Sequence, residues 1–583
     1  MAEIEIDTER VADVPLLVHQ QCRMGIPAVL NEVIQPHGNR QGLSIGWLTT
    51  LWQGFILSES DHRMSEMETW AAQQMELLSR LSPEPVSAKD FTDDRLADVL
   101  RYLGQDAVWE EVEKRLGQRL IRVYDLSNDR IRLDSTSAAV YHDVEEESAL
   151  FRYGQSKDHR PDLAQFKVML GALDPLGLPL ATLVVPGDAA DDPLYAPAIA
   201  QARQIVGTGG RLYIGDCKMA ARKTRALLQA GGDYYLTPLP QTGATPALLR
   251  RLLEAVWKKE QPLEAIWAPT VAGDDEEDTA TASRLLALGF EASRERQATV
   301  DGGKLAWTER LLVIFSPSLA RAGRRGLAQR LQRAEEELLA LTPPRRRGCR
   351  QWAELEPLQK AAQAILRRHQ VEGLLEVIYE REGEERTVRA YRDRPTRTEE
   401  RFRYVIGVRR QPAAIHAARR LLGWRLYVTN APVERLTLAE GVQFYRGAPW
   451  IERDFRRLKG RPLGIRPLYV QREDHAKGMV RLLSLALRVL TLVEHVVRDS
   501  LRQAGQALAG LYAGNPKRET ARPTTERLLK AFRNVVLTIV RLPGQTIRHV
   551  TPLSDLQRRI LELLDLPCSI YEDLTLPTQA NPP

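Results

Sequence analysis

The order of apolar segments between residues 128 and 240 most constrains how this 583-residue chain can fold. Three strand-like segments come first: residues 130–140 alternate apolar and polar side chains, and 166–173 and 178–185 are joined by the turn signal Asp-Pro-Leu-Gly. A helix, a strand, a second helix that ends at glycine, and a final strand follow. The order βββ-α-β-α-β predicts an α/β core with neighbouring strands that pair in one sheet.

The rest of the sequence predicts further regions around this core. Helical spacing of apolar residues dominates before it and after residue 430, where even RNVVLTIVRL at 533–542 is assigned to helix. Three strand-like runs between 374 and 410 predict a small antiparallel sheet inside an insertion. The predicted domains are a helical DNA-binding or dimerisation region at 1–125, the first part of the core at 126–240, the insertion at 241–430, the last part of the core at 431–475, and a helical region at 476–583.

The composition indicates a soluble protein with a mild preference for polyanions. The chain has 82 Lys and Arg against 76 Asp and Glu, which gives a net charge of +6. Its four cysteines are far apart, so neither a zinc site nor a disulfide framework is indicated. No signal peptide is visible, and no apolar run reaches the roughly 18 residues that span a bilayer. We therefore expect a cytoplasmic protein without a membrane partner, associated with the nucleoid when it binds DNA.

Three carboxylates stand in contexts that favour metal-dependent chemistry. Asp134 lies in the strand-like RIRLDSTS, Asp216 ends the strand-like RLYIGD, and Glu452 lies more than 200 residues later in the basic helical stretch PWIERDFRRLK. Ligands gather at the carboxyl ends of strands in α/β folds. Each residue also has a plainer interpretation: a surface strand position, a helix N-cap, or a solvated helix face. Brought together, the three could hold two divalent ions that clamp the attacking and leaving oxygens of a phosphoryl transfer.

The sequence around Glu452 predicts a helix with one docked face and one basic face. Lys459 follows Glu452 by seven residues, which is two helical turns, so both lie on one face. Ile451, Phe455 and Leu458 form an apolar stripe that would dock the helix on the sheet. Basic residues outnumber acidic ones in this part of the chain, which suits the phosphates of DNA.

Together these residues resemble the DDE transposases of bacterial insertion sequences, in the branch with a Y-(2)-R-(3)-E-(6)-K signature. The segment GQSKDHRPDLAQFKVML at 154–170 and the YVTN strand before the last core helix fit the same family, over roughly residues 20–510. The resemblance implies an RNase H-like catalytic core with a β-rich insertion. It also implies that Asp134, Asp216 and Glu452 are the catalytic residues and the ligands of two Mg²⁺ ions, for which Mn²⁺ could substitute.

The signature matches at three of its four positions. Tyr445, Glu452 and Lys459 fit, but the arginine position falls at Ala448. A neighbouring arginine could take over its phosphate contact. The adjoining Trp450 is expected to be a buried aromatic rather than a base-stacking platform. The predicted DNA-binding residues are Tyr445, Arg446, Arg453, Arg456, Lys459, Lys157, His159 and Arg160.

The resemblance implies a transposase that cuts DNA at the ends of its mobile element and joins those ends to target DNA. Its partners would be the terminal inverted repeats and the target, and pairing two ends implies a homodimer in a synaptic complex. Two alternatives stay open. One is an RNase H-like nuclease that does not join strands, and the other is a non-catalytic DNA-binding protein derived from a transposase.

Overall fold

The N-terminal region is helical, as predicted, except for one strand at its start. The computed structural model describes residues 4–144, 147–268, 284–300, 302–344, 351–388, 396–447 and 449–576. Strand β1 (Glu5–Arg10) comes first. The helices that follow are α1 (Val14–Met24), α2 (Ile26–Val33), α3 (Ile45–Glu59), α4 (Met64–Ala72), α5 (Met75–Leu81), α6 (Asp93–Gly104) and α7 (Asp106–Val123).

The core segments fold in the predicted order. They are the strands β2 (Arg130–Ala139), β3 (Gln165–Leu173) and β4 (Leu178–Pro186), the helix α8 (Tyr195–Val206), the strand β5 (Leu212–Gly215), the helix α9 (Arg222–Ala230) and the strand β6 (Tyr234–Pro238). β3 is antiparallel to both β2 and β4, whereas β2, β5 and β6 run parallel. Helices connect the parallel strands and cover the sheet, and β5 is accordingly buried along its whole length. The antiparallel strand β3 is buried throughout as well.

The insertion enlarges this sheet. Its elements are α10 (Thr245–Trp257), β7 (Glu264–Trp267), β8 (Leu285–Val300), β9 (Gly303–Phe315), α11 (Pro317–Ala340), α12 (Leu355–Arg368), β10 (Leu375–Val388), β11 (Arg397–Arg410), α13 (Pro412–Leu421) and β12 (Trp424–Thr429). The strands form a nine-stranded mixed sheet in the order β4-β3-β2-β5-β6-β12-β9-β8-β7. The sheet is continuous from the predicted core into the predicted insertion, and the domain boundaries themselves stay predictions.

Among the residues that the structure describes, the small antiparallel sheet predicted inside the insertion has two strands rather than three, and part of the predicted middle strand lies outside them. β10 and β11 pair along their whole length in a long hairpin. The prediction split β10 because charged residues interrupt its apolar pattern beyond Tyr379. In a two-stranded ribbon a strand can continue without apolar residues, since cross-strand pairs such as Glu382 with Arg403, 2.6 Å apart, support it.

The chain after the insertion is mainly helical but also contains a hairpin. It consists of α14 (Leu438–Arg446), α15 (Pro449–Lys459), α16 (Glu473–Ala504), α17 (Thr525–Lys530), β13 (Val536–Leu542), β14 (Gln545–Val550), α18 (Asp555–Leu563) and α19 (Ser569–Glu572). The helix assigned to 533–542 is wrong: β13 pairs with β14 and also with β1. Leu537 and Ile539 alternate with more exposed residues, which is the period of a strand with one buried face.

Helix α16 is the central element of the main core. Nearly all of its residues from Met479 to Val493 are buried, because it packs on β4 on one side and on α1, α3 and α6 on others. None of the helices among the described residues is both long and apolar enough to cross a membrane. The core also contains an ion pair, between Arg488 of α16 and Glu113 of α7.

This ion pair connects three layers of the fold. The Arg488 guanidinium also donates to the Pro179 carbonyl of β4 at 2.9 Å and to Ser484 Oγ at 3.0 Å. Glu113 also accepts hydrogen bonds from the Thr182 N–H and the Gln201 amide. We expect Arg488→Met to lower the free energy of unfolding by about 3–5 kcal/mol, because it leaves the Glu113 carboxylate buried without its counter-charge.

The matched control for that substitution is the double variant Glu113→Gln with Arg488→Met. Removing both charges should recover part of the loss in urea denaturation, since no unpaired charge is left in the core. A double variant that is less stable than Arg488→Met alone would show that the two charges are not coupled in this way.

Candidate active site

The register of β2 and β5 places Asp134 and Asp216 side by side. The two strands run parallel with Leu133 opposite Gly215, so the next residue on each strand is a carboxylate at the same level. Neighbouring strands are about 4.8 Å apart, and paired residues face the same side of the sheet. The two aspartates therefore share one face, with Asp216 just beyond the end of its strand.

Helix α15 brings Glu452 to the same place. Ile451, Phe455 and Leu458 are buried, as the predicted apolar stripe required, and the helix packs against β2. Glu452 lies in its first turn and is exposed. Burial, together with the charges of Asp216 and Glu452, raises the pKa of Asp134 to about 6, although Lys157 and the Ser135 N–H act in the opposite direction. The three carboxylates therefore act on one another electrostatically.

Internal hydrogen bonds orient both strand carboxylates. Asp134 Oδ1 accepts from the Ser135 N–H at 2.7 Å. Asp216 Oδ1 accepts from the Tyr195 hydroxyl at 2.6 Å and from the Lys218 N–H at 2.9 Å. Burial and the Asp216 charge raise the pKa of Tyr195, so its hydroxyl stays protonated and remains a donor. Tyr195 had no distinguishing signal in the sequence beyond its position at the start of a helix.

The donor set suits a hard divalent cation. All three side chains offer carboxylate oxygens, the ligands that Mg²⁺ prefers. Within the described part of the chain, however, no three or more His, Cys, Asp or Glu side chains are already gathered closely enough to form a metal site. Binding would therefore require the carboxylates to draw closer, and the Mg²⁺ assignment stays a proposal.

Tyr445 reaches the site from a different helix than Glu452. Tyr445 lies in α14 and Glu452 in α15, and Ala448, between the two helices, lies outside the described residues. The Tyr445 ring packs on Tyr427 with 4.6 Å between centroids. Its pKa is raised by burial, then by Tyr427 and by the Asp216 charge, which places it near that carboxylate.

A buried arginine fixes the end of α14. Arg132, two residues before Asp134 on β2, donates to the Phe444 carbonyl in the last turn of α14 and to Asp174 Oδ1 at 2.9 Å. A cation at a helix C-terminus satisfies carbonyls that have no partner within the helix and opposes the negative end of the helix dipole. The same strand thus carries Asp134 and holds the helix that presents Tyr445.

Lys459 is already engaged by a carboxylate. Its Nζ lies 2.9 Å from Asp158 Oδ1, and Arg466 lies 2.8 Å from the other oxygen of the same group. The side chains of Lys459 and Asp158 are only 13% and 12% exposed. The sequence prediction had assigned Lys459 to DNA phosphate and had overlooked Asp158, although it lies in the quoted SKDHRPD segment between two named residues.

Of the three predicted DNA contacts in the loop after β2, only Lys157 reaches the carboxylates. Its Nζ donates to the Ser135 carbonyl and hydroxyl at 2.5 and 2.8 Å and lies 4.0 Å from Asp134 Oδ1. His159 is exposed. Arg160 is also exposed and forms an ion pair with Asp162 at 2.7 Å.

Arg453 faces α16 rather than the carboxylates. It forms an ion pair with Glu494, and its guanidinium covers the Trp450 ring at 4.8 Å from the centroid. Trp450 itself is half-buried, so it is neither the fully buried aromatic that the sequence predicted nor a freely exposed ring. As the second residue of α15, it lies on the opposite side of the helix from Glu452, away from the docked stripe.

The two remaining predicted arginines lie on either side of the site. Arg456 follows Glu452 by one turn, is exposed, and makes no ion pair with a residue that the structure describes. Arg446 ends α14 and donates to the Leu286 carbonyl at 2.9 Å and to Ser316 Oγ at 3.0 Å. Contacts of all these residues with DNA stay predictions.

Comparison with known proteins gives little. No known family model matches the sequence, and no curated protein matches it. Among solved structures, a piggyBac transposase synaptic complex with hairpin DNA is similar at a TM-score of 0.35 and 7% identity, over 99% of this chain and 89% of that one. At that level the similarity supports no conclusion about function.

The raised pKa of Asp134 gives a prediction that does not depend on activity. The pKa of Asp134 is near 6 in the folded protein and 3.8 for an ordinary aspartate, so ionising this carboxyl is harder in the folded state than in the unfolded chain. The ionised carboxyl therefore lowers the free energy of unfolding above pH 6, and this effect disappears below about pH 4, where the carboxyl is protonated in both states. Without added metal, Asp134→Asn should therefore raise the free energy of unfolding by about 1–2 kcal/mol at pH 8 and leave it unchanged at pH 4.

Mg²⁺ should raise the melting temperature of the wild type but not of the variant. Equal Mg²⁺ effects on both proteins would remove Asp134 from the metal site.

Proposed function

We propose that this protein is a DDE transposase that cleaves DNA at the ends of a mobile element and joins those ends to target DNA. The observation that carries the proposal is that Asp134 and Asp216 are neighbours on one face of the sheet, with Glu452 of α15 near enough to affect the pKa of Asp134. More than 200 residues separate the second and third carboxylates in the sequence. Packing of this kind is what a carboxylate-based phosphoryl-transfer site requires.

The strand arrangement supports an RNase H-like core. Five strands lie side by side in the order β4-β3-β2-β5-β6, and only β3 runs in the opposite direction. The helix α8 connects β4 to β5, and the helix α9 connects β5 to β6. This agrees with the βββ-α-β-α-β order that the family resemblance implies. The additional strands β12, β9, β8 and β7 continue the sheet beyond β6 and account for much of the β-rich insertion.

The residues around the carboxylates have distinct parts in the proposed chemistry. Two Mg²⁺ ions held by the three carboxylates would supply Lewis acidity at the attacking and leaving oxygens. Tyr195 orients the Asp216 carboxylate through its hydrogen bond. Lys157 places a positive charge beside Asp134, where a phosphate must approach. Arg456 is exposed one turn from Glu452 and can contact the DNA backbone, which fixes register rather than sequence.

The same proposal includes the partners. The DNA substrates would be the terminal inverted repeats of the element and the target duplex, and two copies of the chain would hold two ends in a synaptic complex. A bacterial, cytoplasmic setting, with nucleoid association through DNA, follows from the resemblance to insertion-sequence transposases.

The decisive experiment incubates the protein with the terminal repeats that flank its gene, Mg²⁺ and a target plasmid. Asp134→Asn, Asp216→Asn and Glu452→Gln should each reduce end cleavage by at least about a thousandfold, because each removes a charge that the transition state depends on. Asp188→Asn, an exposed aspartate in the turn after β4, is the control and should cleave like the wild type. A carboxylate variant that cleaves at the wild-type rate would be excluded from the site.

The products separate the alternatives. End cleavage without joined products would indicate an RNase H-like nuclease that lacks strand transfer. Specific DNA binding without cleavage in any divalent metal would indicate a non-catalytic DNA-binding protein.

Asp158 gives a second functional prediction, because it competes with phosphate for Lys459. If Lys459 contacts DNA, Lys459→Ala should weaken DNA binding about tenfold, as expected for loss of a charge-assisted contact. Asp158→Asn should instead strengthen binding, since the lysine and Arg466 lose their internal counter-charge. DNA affinity is measured by fluorescence anisotropy with a labelled duplex. Equal affinity of the wild type, Lys459→Ala and Asp158→Asn would show that Lys459 only stabilises the packing of the loop after β2 against α15.

A further inference from the structure

A cavity beside the carboxylate site carries charge that the proposed chemistry does not use. It has a volume of about 430 Å³ and lies at the junction of β12, the end of α14 and the start of α11. The polar side chains that line it are those of Arg425, Arg446, Ser316, Ser318 and Tyr427. Arg446 belongs to the predicted DNA-binding set, whereas the other four had no function assigned.

Sheet register places this cavity on the same face as the carboxylates. Ile214 of β5 pairs with Leu236 of β6, so Asp216 is level with Pro238, and Pro238 pairs with Tyr427 of β12. Tyr427 is therefore two strands from Asp216, about 10 Å away at the usual strand spacing. Arg425 is two residues earlier on β12 and points to the same side, about 12 Å from Asp216 by the same geometry.

Two guanidinium groups meet in this cavity without a carboxylate partner. Arg446 donates to the Leu286 carbonyl and to Ser316 Oγ, and Arg425 donates to the Trp424 carbonyl at 3.0 Å. Neither arginine forms an ion pair with any residue in the described ranges. Both side chains belong to half-buried residues, so solvent only partly screens their charges. Most arginines around α15 differ in this respect, since Arg453 and Arg457 are paired with Glu494.

Hydroxyl groups complete a set of donors. Ser316 Oγ lies 3.1 Å from Ser318 Oγ, and Ser316 precedes α11 without capping its first turn. Arginine forks with neighbouring hydroxyls are a common way for proteins to hold phosphate. No acidic side chain lines the cavity, so no negative charge opposes an anion there.

We infer that this cavity binds a phosphodiester group of the DNA strand whose neighbouring segment lies at the carboxylates. The inference rests on the proposed function, because that function supplies the DNA. Arg425 and Arg446 hold the non-bridging oxygens, and Ser318 donates a hydrogen bond from the start of α11. The insertion thus contributes directly to holding the strand beside the cut.

The test measures DNA affinity over a series of salt concentrations with a fluorescein-labelled duplex of arbitrary sequence. Each phosphate contact contributes about 0.9 to the slope of log K against log salt concentration. Arg425→Gln should weaken binding about tenfold at low salt and make the slope shallower by about 0.9. Arg122→Gln removes an exposed arginine at the end of α7, far along the chain from the cavity, and should match the wild type.

Further variants guard against a folding defect. Arg425→Lys keeps the charge but not the fork, so it should keep the wild-type slope and lose part of the affinity. Ser318→Ala removes an exposed hydroxyl and should weaken binding roughly threefold with an unchanged slope. If Arg425→Gln melts far below the wild type, these two variants decide: wild-type affinity in both would overturn the inference.

The outcomes separate this inference from the proposed function. A wild type that binds and cleaves DNA, with Arg425→Gln equal to it in affinity and slope, overturns the cavity assignment alone. A wild type that does not bind DNA at low salt overturns both. Inorganic phosphate is the probe for a free-anion site. If it raises the melting temperature of the wild type but not of Arg425→Gln, and the DNA slopes coincide, the cavity holds a free anion rather than a DNA strand.

Discussion

The short parallel pairing of β2 with β5 is the constraint on which the rest of the site depends. β5 has only four residues, all buried, and its register with β2 is what makes Asp134 and Asp216 neighbours. A slip of one residue would turn one carboxylate to the opposite face of the sheet, because side chains alternate along a strand. β2 cannot slip easily, since it also pairs with β3 from Ile131 to Ala139.

The helices that complete the site are fastened to that same strand. Arg132 holds the end of α14, Lys157 reaches back to Ser135, and the adjacent Asp158 holds Lys459 at the end of α15. The positive charge near the carboxylates is therefore only partly available. Several basic residues that look like a DNA-binding surface in the sequence are paired with carboxylates inside the protein. Arg456, Arg425 and Arg446 differ, because they form no ion pair with a residue that the structure describes.

The sequence predicted the core well because its signals there are local. The order of strands and helices was predicted from the alternation of apolar and polar residues, the turn before β4 and the glycine after α9. The apolar stripe of α15 predicted which side of that helix packs on the sheet. The three carboxylates could be named because they follow or interrupt those local patterns. Their meeting could only be inferred from the family resemblance, since nothing in the spacing of Asp216 and Glu452 requires it.

What the sequence did not predict depends on contacts between distant segments. Strand β1 forms only because β13 is available to pair with it, and the pairing of Arg453 with Glu494 requires α16 to lie beside α15. Trp450 is only half-buried because burial there depends on which side of α15 the sheet covers, not on residue type.

Strand β1 has a consequence for the synthesis of the chain. Its partner β13 is more than 500 residues further on, and Arg541 of that strand contacts Asp7 of β1. At about 5–20 residues per second, the ribosome needs roughly half a minute or more to deliver β13 after β1 has emerged. During that interval the first strand has an open edge. The sheet that closes the N-terminal region is completed only when translation has passed α15. A truncated product would therefore have intact strand carboxylates but an unfinished N-terminal region.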